Sequence, residues 1–502
     1  MSTSQTIDST RNPSVVIIGA GMTGMLMLIK LREAGVSDIT VLEKKGKVGG
    51  TWRENTYPGV ACDVPAHMYT YSFELNPEWS KRYAHGAEIQ TYFEHVANKY
   101  DLDKSIRFNE AVTDLSYDQG KWTIKTSTDQ SLTADFVVSA TGILHHPAYP
   151  DIKGAESFKG DSFHTAEWDH SVALKGKRVG IIGTGSTACQ VIPELVETGA
   201  EVEVFQRTPQ WIVNMPNVDY SDKDKANWRS NPMRMQRLRK FYATCIEQLF
   251  SKAVIGKKIP HLIATILCKL NLILSVKDKE LRAKLTPDYK VGCKRLVGNS
   301  KFYKAIQQSN ASLITEGIEA IEAGGIRTKD GELHELDVLV YSTGFKPFNF
   351  MRPMTMTGKN GISIEQRWSQ GVKAYRSLSI PDFPNFFLML GPNTPIGNYS
   401  VIAMSEIQCA YVLKMIDKWR ARQFDELVAT DDALNQFNDY LQAGMGKTAW
   451  VGGCQSWYMD DNGNLAMWPY SWQQWVSEMA EPCMADFSTQ LFADDCTDTK
   501  AA

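Results

Sequence analysis

The stretch that decides the fold is VVIIGAGMTGMLMLIKLREAGVSDITVLEK, residues 15–44. It contains an apolar strand, a glycine-rich turn, a helix ended by a glycine, and a second strand. Residues 179–207, VGIIGTGSTACQVIPELVETGAEVEVFQR, repeat this layout. In both stretches the first glycine of the turn precedes the helix-ending glycine by 16 residues and the last strand residue by 24. Two units with matched offsets predict two Rossmann-like βαβ domains that bind dinucleotides.

The first unit has the residues that an FAD or NAD site needs. Gly19 makes the tight turn, Gly21 lets the backbone approach a pyrophosphate at the helix N-terminus, and Gly24 packs the helix on the strand. The second strand ends at Glu43, whose carboxylate can accept hydrogen bonds from ribose hydroxyls. The first unit is therefore predicted to hold FAD or NAD.

The second unit ends differently. A guanidinium at its strand end presents a planar fork of donors, which suits a ribose 2'-phosphate. This unit is therefore predicted to hold NADPH. Its cofactor residues are predicted to be Gly183, Thr184, Gly185, Ser186, Thr187, Arg207 and Thr208.

Bulk composition favours a multidomain enzyme acting on small molecules. A chain of 502 residues is long enough for two or three domains. Its 54 basic and 57 acidic side chains give a net charge of -3, so no overall field favours nucleic acid or an acidic membrane surface. The apolar window at 261–274 contains Lys269 and Asn271 and is short for a bilayer, so it is interpreted as a buried or interfacial helix.

Cysteine usage and the N-terminus indicate a cytoplasmic protein. The nine cysteines are scattered and include no CxxC pair, which argues against a disulfide framework or a thiolate metal site. The polar first fourteen residues are expected to be a disordered lead-in and not a signal peptide. His145 and His146 have no third spaced ligand, so no metal site is predicted.

Two further strands suggest how the domains are connected. DFVVSATG (135–142) and DVLVYSTG (337–344) each run into small residues and glycine, which suits a chain that crosses between domains. The glycine-poor segment that is rich in Lys and Leu predicts an inserted helical subdomain. The predicted parts are an FAD-binding domain over 1–144 and 346–502, an NADPH-binding domain over 145–220 and 286–345, and a helical insertion over 221–285.

A short polar connector, FKGDSFHTAEWD (158–169), carries the most specific motif. Its pattern FxGxxxHxxxW, followed by Pro or Asp, resembles the fingerprint of the type I Baeyer-Villiger monooxygenases, which belong to the class B flavoprotein monooxygenases. The resemblance covers about residues 14–470. The related enzymes that oxidise nitrogen and sulfur usually have Tyr or Phe in place of the tryptophan, so the motif favours ketones as substrates. The matching residues are Phe158, Gly160, His164, Trp168 and Asp169.

The resemblance implies an enzyme that uses FAD, NADPH and O2 to convert a ketone into an ester or lactone by way of a C4a-peroxyflavin. It implies that His164 and Trp168 couple domain movement to catalysis. It also implies that Lys294 and Trp457 contact NADP, and that Arg295 lies against both NADP and the flavin, with Asp63 beside the flavin. The remaining flavin contacts that it implies are Gly50, Thr51, Trp52, Tyr69 and Val112. The sequence departs from the family at Asn398, where many members have His, and at WPY (468–470), where WPG is commoner.

Catalysis would need a fixed positive charge at the reacting oxygens, and Arg295 held by Asp63 can supply it. The alternative is that Arg295 and Asp63 form a purely structural ion pair without a catalytic role. Among other activities, a sulfide or amine oxygenase uses the same cofactors, whereas a disulfide reductase needs a CxxC or CxxxxC that the chain lacks. A flavoprotein that binds without catalysing is the third alternative. O2 and a small ketone, with sulfides as a further option, are the predicted partners, without nucleic acid or membrane.

Overall fold

The structure is a computed structural model that describes residues 11–492 except 398, 455, 461 and 465. The predicted N-terminal lead-in falls largely on residues 1–10, outside the described residues. Asn398 and both ends of the predicted FAD-binding domain lie outside them as well.

The chain forms many short strands and fourteen described α-helices. The strands are β1 Val15–Ile18, β2 Ile39–Glu43, β3 Ile106–Phe108, β4 Val112–Asp118, β5 Lys121–Thr126, β6 Ser131–Ala134, β7 Phe136–Ser139, β8 Asp161–His164, β9 Arg178–Ile182, β10 Glu201–Phe205, β11 Ile212–Val213, β12 Val297–Gly298, β13 Ala311–Ile314, β14 Ile318–Glu322, β15 Gly325–Thr328, β16 Leu333–Glu335, β17 Val338–Tyr341, β18 Thr355–Thr357, β19 Phe386–Leu388, β20 Glu426–Ala429 and β21 Phe487–Gln490. The helices are α1 Met22–Glu33, α2 Thr51–Glu54, α3 Gly86–Lys99, α4 Ser186–Thr198, α5 Asp222–Ser230, α6 Met233–Cys245, α7 Lys252–Val254, α8 Lys258–Ser275, α9 Lys279–Lys284, α10 Phe302–Ala305, α11 Ile364–Arg367, α12 Val401–Arg420, α13 Asp431–Met445 and α14 Trp472–Glu478.

The first parallel sheet has the strand order β19-β7-β1-β2-β3. Every residue of β1 and β7 is buried, as expected for central strands covered on both faces. Helix α12 packs on α1, where the hydroxyls of Thr23 and Ser405 share a hydrogen bond of 2.9 Å. This sheet therefore combines strands from the first part of the chain with β19 from after residue 345.

The second parallel sheet has the order β13-β10-β9-β17-β8. The second glycine-rich turn connects β9 of this sheet to α4, as the first glycine-rich turn connects β1 of the first sheet to α1. Helices α5 to α9 all lie between residues 222 and 284. The predicted fold class, two Rossmann-like units with a helical insertion, is confirmed.

The two chain crossings lie side by side. Strands β7 and β17 belong to different sheets, and the residues that follow them meet in a bridge between Pro147 and Phe345. The Thr343 hydroxyl donates to the carbonyl of Ala148 at 2.6 Å. The neighbouring His145 donates from Nε2 to the carbonyl of Phe350 at 2.9 Å. Both connections between the sheets thus run together as one paired strip of backbone.

Two expectations from the sequence need correction. The stretch 158–169 is not a simple polar connector, because β8 lies inside it and pairs in parallel with β17 at the edge of the second sheet. Period-two alternation fails there because an edge strand of four residues is too short to show it. Of the two interpretations of the apolar window at 261–274, the buried helix is wrong, because only Ala264, Cys268 and Leu272 of α8 are buried, and the interfacial helix remains.

Candidate active site at the two glycine-rich turns

The first glycine-rich turn is closed by backbone on two sides. Gly19 has φ +101°, and a Cβ there would lie 2.8 Å from the carbonyl oxygen of Ala140. A Cβ on Gly24 would lie 1.9 Å from the carbonyl oxygen of Gly19, so α1 packs directly on the turn. A Cβ on Gly21 would meet only the backbone of Gly50, 3.6 Å away. The turn therefore faces a narrow backbone-lined slot at the start of α1.

Glu43 is buried at the end of β2, and its carboxylate stabilises this turn by hydrogen bonds. Its Oε2 accepts a hydrogen bond from the Ala20 N–H at 2.8 Å, and its Oε1 accepts one from the Lys45 N–H at 2.9 Å. Arg53 lies 3.2 Å from the same carboxylate. The carboxylate predicted to bind ribose thus lies directly behind the glycine turn.

The second turn is built like the first. Gly183 has φ +112°, and a Cβ there would lie 2.4 Å from the carbonyl oxygen of Ser342. Gly185 precedes α4, and a Cβ on it would meet nothing within 4 Å. The Thr184 hydroxyl donates to the Thr208 carbonyl at 3.0 Å, which joins the turn to the strand end. Ser186 and Thr187 form the first turn of α4, beside this open space.

A cavity of about 110 Å³ lies between the two units. Tyr57 donates from its hydroxyl to Gln190 Oε1 of α4 at 3.0 Å, and burial raises the pKa of Tyr57 to about 12. The cavity therefore brings residues after the first turn together with the start of α4. Its lining consists of Thr51, Trp52, Asn55, Tyr57, Val60, Ala61, Leu144, Thr187 and Phe345.

Trp52 is held in place by the tyrosine predicted with it. Its indole Nε1 donates to the Tyr69 hydroxyl at 3.1 Å, and the two rings meet edge to face at 5.5 Å. Burial holds the pKa of Tyr69 well above its usual range, so the hydroxyl stays neutral. Val112, by contrast, lies in a hydrophobic cluster with Ile18 and Leu42. The Val112 side chain is buried in that cluster.

Arg295 and Asp63 meet although 232 residues separate them in the chain. Arg295 Nη2 donates to Asp63 Oδ2 at 2.7 Å. The charge of Asp63 is the main reason that the pKa of Arg295 is raised, so the guanidinium is always cationic. The buried Tyr458 ring adjoins this pair, and burial raises the pKa of Tyr458 to about 12, against the opposing effect of Arg295.

Arg207 and Lys294 form a second cationic group. Burial lowers the pKa of Lys294, and the charge of Arg207 lowers it further. Within the described part of the chain, no carboxylate forms an ion pair with either side chain. The Lys294 Nζ lies 5.2 Å from the centre of the Tyr289 ring. Two neighbouring cations that form no ion pair with a carboxylate of the described residues are typical of a site for an anion.

The segment that carries Lys294 and Arg295 is tied to the loop that carries Trp457. Cys293 and Cys454 are joined by a disulfide across 161 residues. The scattered cysteines predicted no disulfide framework, and their spacing alone gives no sign of a pair so far apart. Trp457 lies against Tyr458, with ring centres 4.5 Å apart.

The fingerprint residues have several distinct environments. A Cβ on Gly160 would lie 2.3 Å from the carbonyl of Asp337, and Phe158 packs beside that glycine. Fully buried His164 accepts at Nδ1 from the Ala166 N–H at 3.0 Å, and burial lowers its pKa. The His164 ring contacts Tyr149 and Phe345 at the paired chain crossings.

Trp168 and Asp169 differ although they are adjacent. Trp168 is buried and packs edge to face on Phe163, with ring centres 5.0 Å apart. Asp169 is exposed and accepts from the Ser171 N–H and hydroxyl, which lowers its pKa. The Trp168 side chain is thus held by apolar packing, and the Asp169 side chain by the hydrogen bonds of a local turn.

Several residues of the site were not predicted from the sequence. Tyr57, Gln190 and Phe345 line or support the cavity, and Tyr458 lies on the predicted catalytic pair. Tyr458 directly follows Trp457 in the segment CQSWY, which was the one available signal for it. Among the described residues, no group of three His, Cys, Asp or Glu side chains is arranged to hold a metal ion.

The geometry fits two dinucleotides. Each turn leaves a backbone-lined opening at a helix N-terminus, where Gly21 and Gly185 have no side chain to block a pyrophosphate. The second unit adds Arg207 and Lys294, which form no ion pair with a carboxylate of the described residues and suit a 2'-phosphate. The residues therefore suit FAD at the first turn and NADPH at the second.

Comparisons with known proteins agree with this geometry. Residues 16–254 match the family model for pyridine nucleotide-disulphide oxidoreductases. An uncharacterized monooxygenase of Mycobacterium tuberculosis is 42% identical over 92% of this chain and 93% of its own. The Baeyer-Villiger monooxygenase of Pseudomonas aeruginosa is 37% identical over 94% of this chain and 91% of its own.

Among solved structures, OTEMO in complex with FAD and NADP is 27% identical and superposes with a TM-score of 0.83. That superposition covers 94% of this chain and 98% of the other. The chain belongs to the Baeyer-Villiger monooxygenases, and it is an FAD- and NADPH-dependent enzyme that inserts one oxygen atom next to a ketone carbonyl.

Proposed function

We propose that Arg295 is the catalytic cation of this oxygen insertion and that Asp63 positions it. The observation that carries the proposal is the 2.7 Å contact between Arg295 Nη2 and Asp63 Oδ2, beside the buried ring of Tyr458. Three separate chain segments thus place one guanidinium that cannot lose its proton.

Bound FAD supplies the redox chemistry, since it accepts hydride from NADPH and activates O2. The protein then has to stabilise the negative charge that develops on the transferred oxygen and on the substrate oxygen. Arg295 can donate two parallel hydrogen bonds to such oxygens while Asp63 holds the opposite side of the guanidinium. Removing one preorganised donor of this kind typically lowers the rate about 10²- to 10³-fold.

The cofactors are assigned to the two turns. FAD is bound by Gly19, Gly21, Gly24 and the Glu43 end of β2, with its flavin beside Thr51 and Trp52. NADPH is bound at the start of α4, with its 2'-phosphate held between Arg207, Thr208 and Lys294 and its nicotinamide end near Trp457. The phosphate assignment is supported by the lack of an ion pair between either cation and a carboxylate among the described residues.

The domain division follows the sheets. An FAD-binding domain over 1–144 and 346–502, an NADPH-binding domain over 145–220 and 286–345, and a helical insertion over 221–285 agree with the strand composition of both sheets. His164, buried against the paired crossings, is placed to respond when the domains shift. We place the enzyme in the cytoplasm, with O2 and a small ketone as its substrates.

The test compares Arg295→Ala with Arg295→Lys and the wild-type holoenzyme. Flavin reduction by NADPH without oxygen should stay near the wild-type rate, whereas ester formation from a ketone should fall about 10²- to 10³-fold in Arg295→Ala. Arg295→Lys should recover part of the lost yield, because it restores charge without the fork. Unchanged ester yield in Arg295→Ala would refute the role. A thioether offered with the ketone shows whether sulfide oxidation dominates, which would contradict the preference for ketones.

A further inference from the structure

Helix α8 in the helical insertion presents an apolar face to solvent. Its 18 residues extend about 27 Å. The exposed positions recur every three or four residues and so form one continuous stripe along the helix. Their side chains are 38 to 73% exposed, which is unusual for a contiguous apolar surface on a soluble protein. They are Ile259, Leu262, Ile263, Ile266, Leu267, Leu270, Ile273 and Leu274.

The opposite edge of α8 is fixed to the protein. Ala264, Cys268 and Leu272 are buried, and Asn271 donates to the Ile212 carbonyl at 3.0 Å. His261 donates from Nε2 to the Val291 carbonyl at 3.0 Å. By length and composition α8 is the one helix among the described residues that can cross a membrane. These contacts instead hold it flat on the surface, with its apolar stripe facing outward.

The charge around α8 is strongly one-sided. The insertion, residues 221–285, has 15 Lys and Arg and 5 Asp and Glu, a net charge of +10 in a chain of net charge -3. Between Glu247 and Asp278 there is no acidic residue at all. The lysines at both ends and within α8 flank the apolar stripe. They are Lys252, Lys257, Lys258, Lys269 and Lys277.

We propose that the α8 face docks on an anionic lipid bilayer. A flat helix with an apolar stripe bordered by lysines is the arrangement that inserts at the boundary between headgroups and acyl chains. The apolar stripe enters the interface while the lysines contact acidic headgroups. The net charge of the whole chain led to the prediction of no membrane partner, but that value hides a basic insertion beside an acidic remainder of net charge -13. The proposal does not depend on the active-site assignments.

A second copy of the chain is the competing occupant of this face. Its α8 face would carry the same positive charge, so pairing two insertions would bring ten excess positive charges on each side together. An anionic bilayer, by contrast, can both bury the apolar stripe and neutralise the positive charge of the insertion. The charge therefore favours lipid.

The experiment measures co-sedimentation of the FAD-loaded, full-length enzyme with vesicles. One set contains phosphatidylcholine alone, and the other an equimolar mixture of phosphatidylcholine and phosphatidylglycerol. The enzyme should bind the anionic vesicles, bind neutral ones far more weakly, and dissociate as salt is raised. The variant L262Q/I266Q/L270Q should bind at least about 100-fold more weakly. Its matched control, V218Q/L333Q/L491Q, changes exposed apolar residues elsewhere and should bind like the wild type.

A charge variant tests the electrostatic part. Because each lysine near an anionic surface contributes about fivefold to binding, K257Q/K258Q/K277Q should bind about 100-fold more weakly. K153Q/K159Q/K329Q, which removes exposed lysines outside the insertion, should keep full binding. Flavin absorbance and NADPH oxidation confirm that each variant is folded.

Three results would overturn the proposal. The first is equal binding to neutral and anionic vesicles, and the second is no loss of binding in L262Q/I266Q/L270Q. The third is a wild-type dimer in light scattering that L262Q/I266Q/L270Q converts to a monomer while neither protein binds vesicles. That result would assign the α8 face to a second copy of the chain.

Discussion

Replacing Arg207 with Ala should sharply reduce the preference of the enzyme for NADPH over NADH. Arg207 is exposed at the end of β10, beside Lys294, and no carboxylate among the described residues pairs with it. Its guanidinium is therefore free to bind a phosphate. A charge-assisted hydrogen bond of this kind contributes about 1.5 to 3 kcal/mol. The kcat/KM for NADPH should fall about 10- to 150-fold, and the value for NADH should change by less than about twofold.

Lys294 should share this effect without simple additivity. Burial and then the charge of Arg207 lower the pKa of Lys294, so removing Arg207 favours the charged form of Lys294. The remaining lysine then compensates in part. The double variant Arg207→Ala/Lys294→Ala should accordingly lose more NADPH binding than the two single variants predict together.

The assay is the rate of flavin reduction without oxygen, measured in a stopped-flow instrument over a range of NADPH and NADH concentrations. Arg107→Ala, which removes an exposed arginine on β3 of the other sheet, serves as the matched control and should reduce like the wild type. A loss of equal size for NADPH and NADH would refute the assignment of Arg207 to the 2'-phosphate.

Three smaller predictions concern the glycine turn, the fingerprint and pH. Gly183→Ala should destabilise the fold by at least about 2 kcal/mol in urea unfolding, because its Cβ would clash with the Ser342 carbonyl. Gly185→Ala should lower the unfolding free energy by under about 1 kcal/mol and mainly weaken NADPH binding. A larger loss of stability in Gly185→Ala than in Gly183→Ala would contradict this prediction. Trp168→Ala should lower the unfolding free energy by about 3 to 5 kcal/mol, and an unchanged Tm would show that its packing is dispensable. Burial lowers the pKa of His67 to about 4, so below pH 6.5 the unfolded chain binds a proton that the folded chain excludes. Up to about 3 kcal/mol of stability should be lost between pH 6.5 and 4, and His67→Leu should remove this part of the pH dependence of Tm, so an unchanged dependence would contradict it.

The sequence was sufficient for the two nucleotide-binding units because their constraints are local. Gly19 and Gly183 are required by turns whose geometry depends on a few neighbouring residues, and the offsets to the strand ends repeat for the same reason. The helical insertion was likewise visible as a change in composition. Each nucleotide-binding unit spans only about thirty consecutive residues.

The rest depended on contacts between distant segments. Tyr458 beside Arg295 and the disulfide of Cys293 all arise from one loop returning to the second unit, which no local spacing records. The sequence also left open whether α8 is buried or interfacial, since an apolar helical pattern looks the same whether it faces a core or solvent. Likewise, β8 was hidden because four residues at a sheet edge leave almost no pattern.

The position of Glu43 has a consequence for redesigning coenzyme choice. The carboxylate already accepts from the Ala20 N–H and lies against Arg53, so the residue proposed to bind FAD also sets the shape of the turn. An engineer who exchanges Glu43 would alter both properties at once, whereas Arg207 can be exchanged alone. The two equivalent strand ends therefore differ in how freely they can evolve. Substitution of Arg207 changes cofactor binding alone, whereas substitution of Glu43 also disturbs the glycine-rich turn.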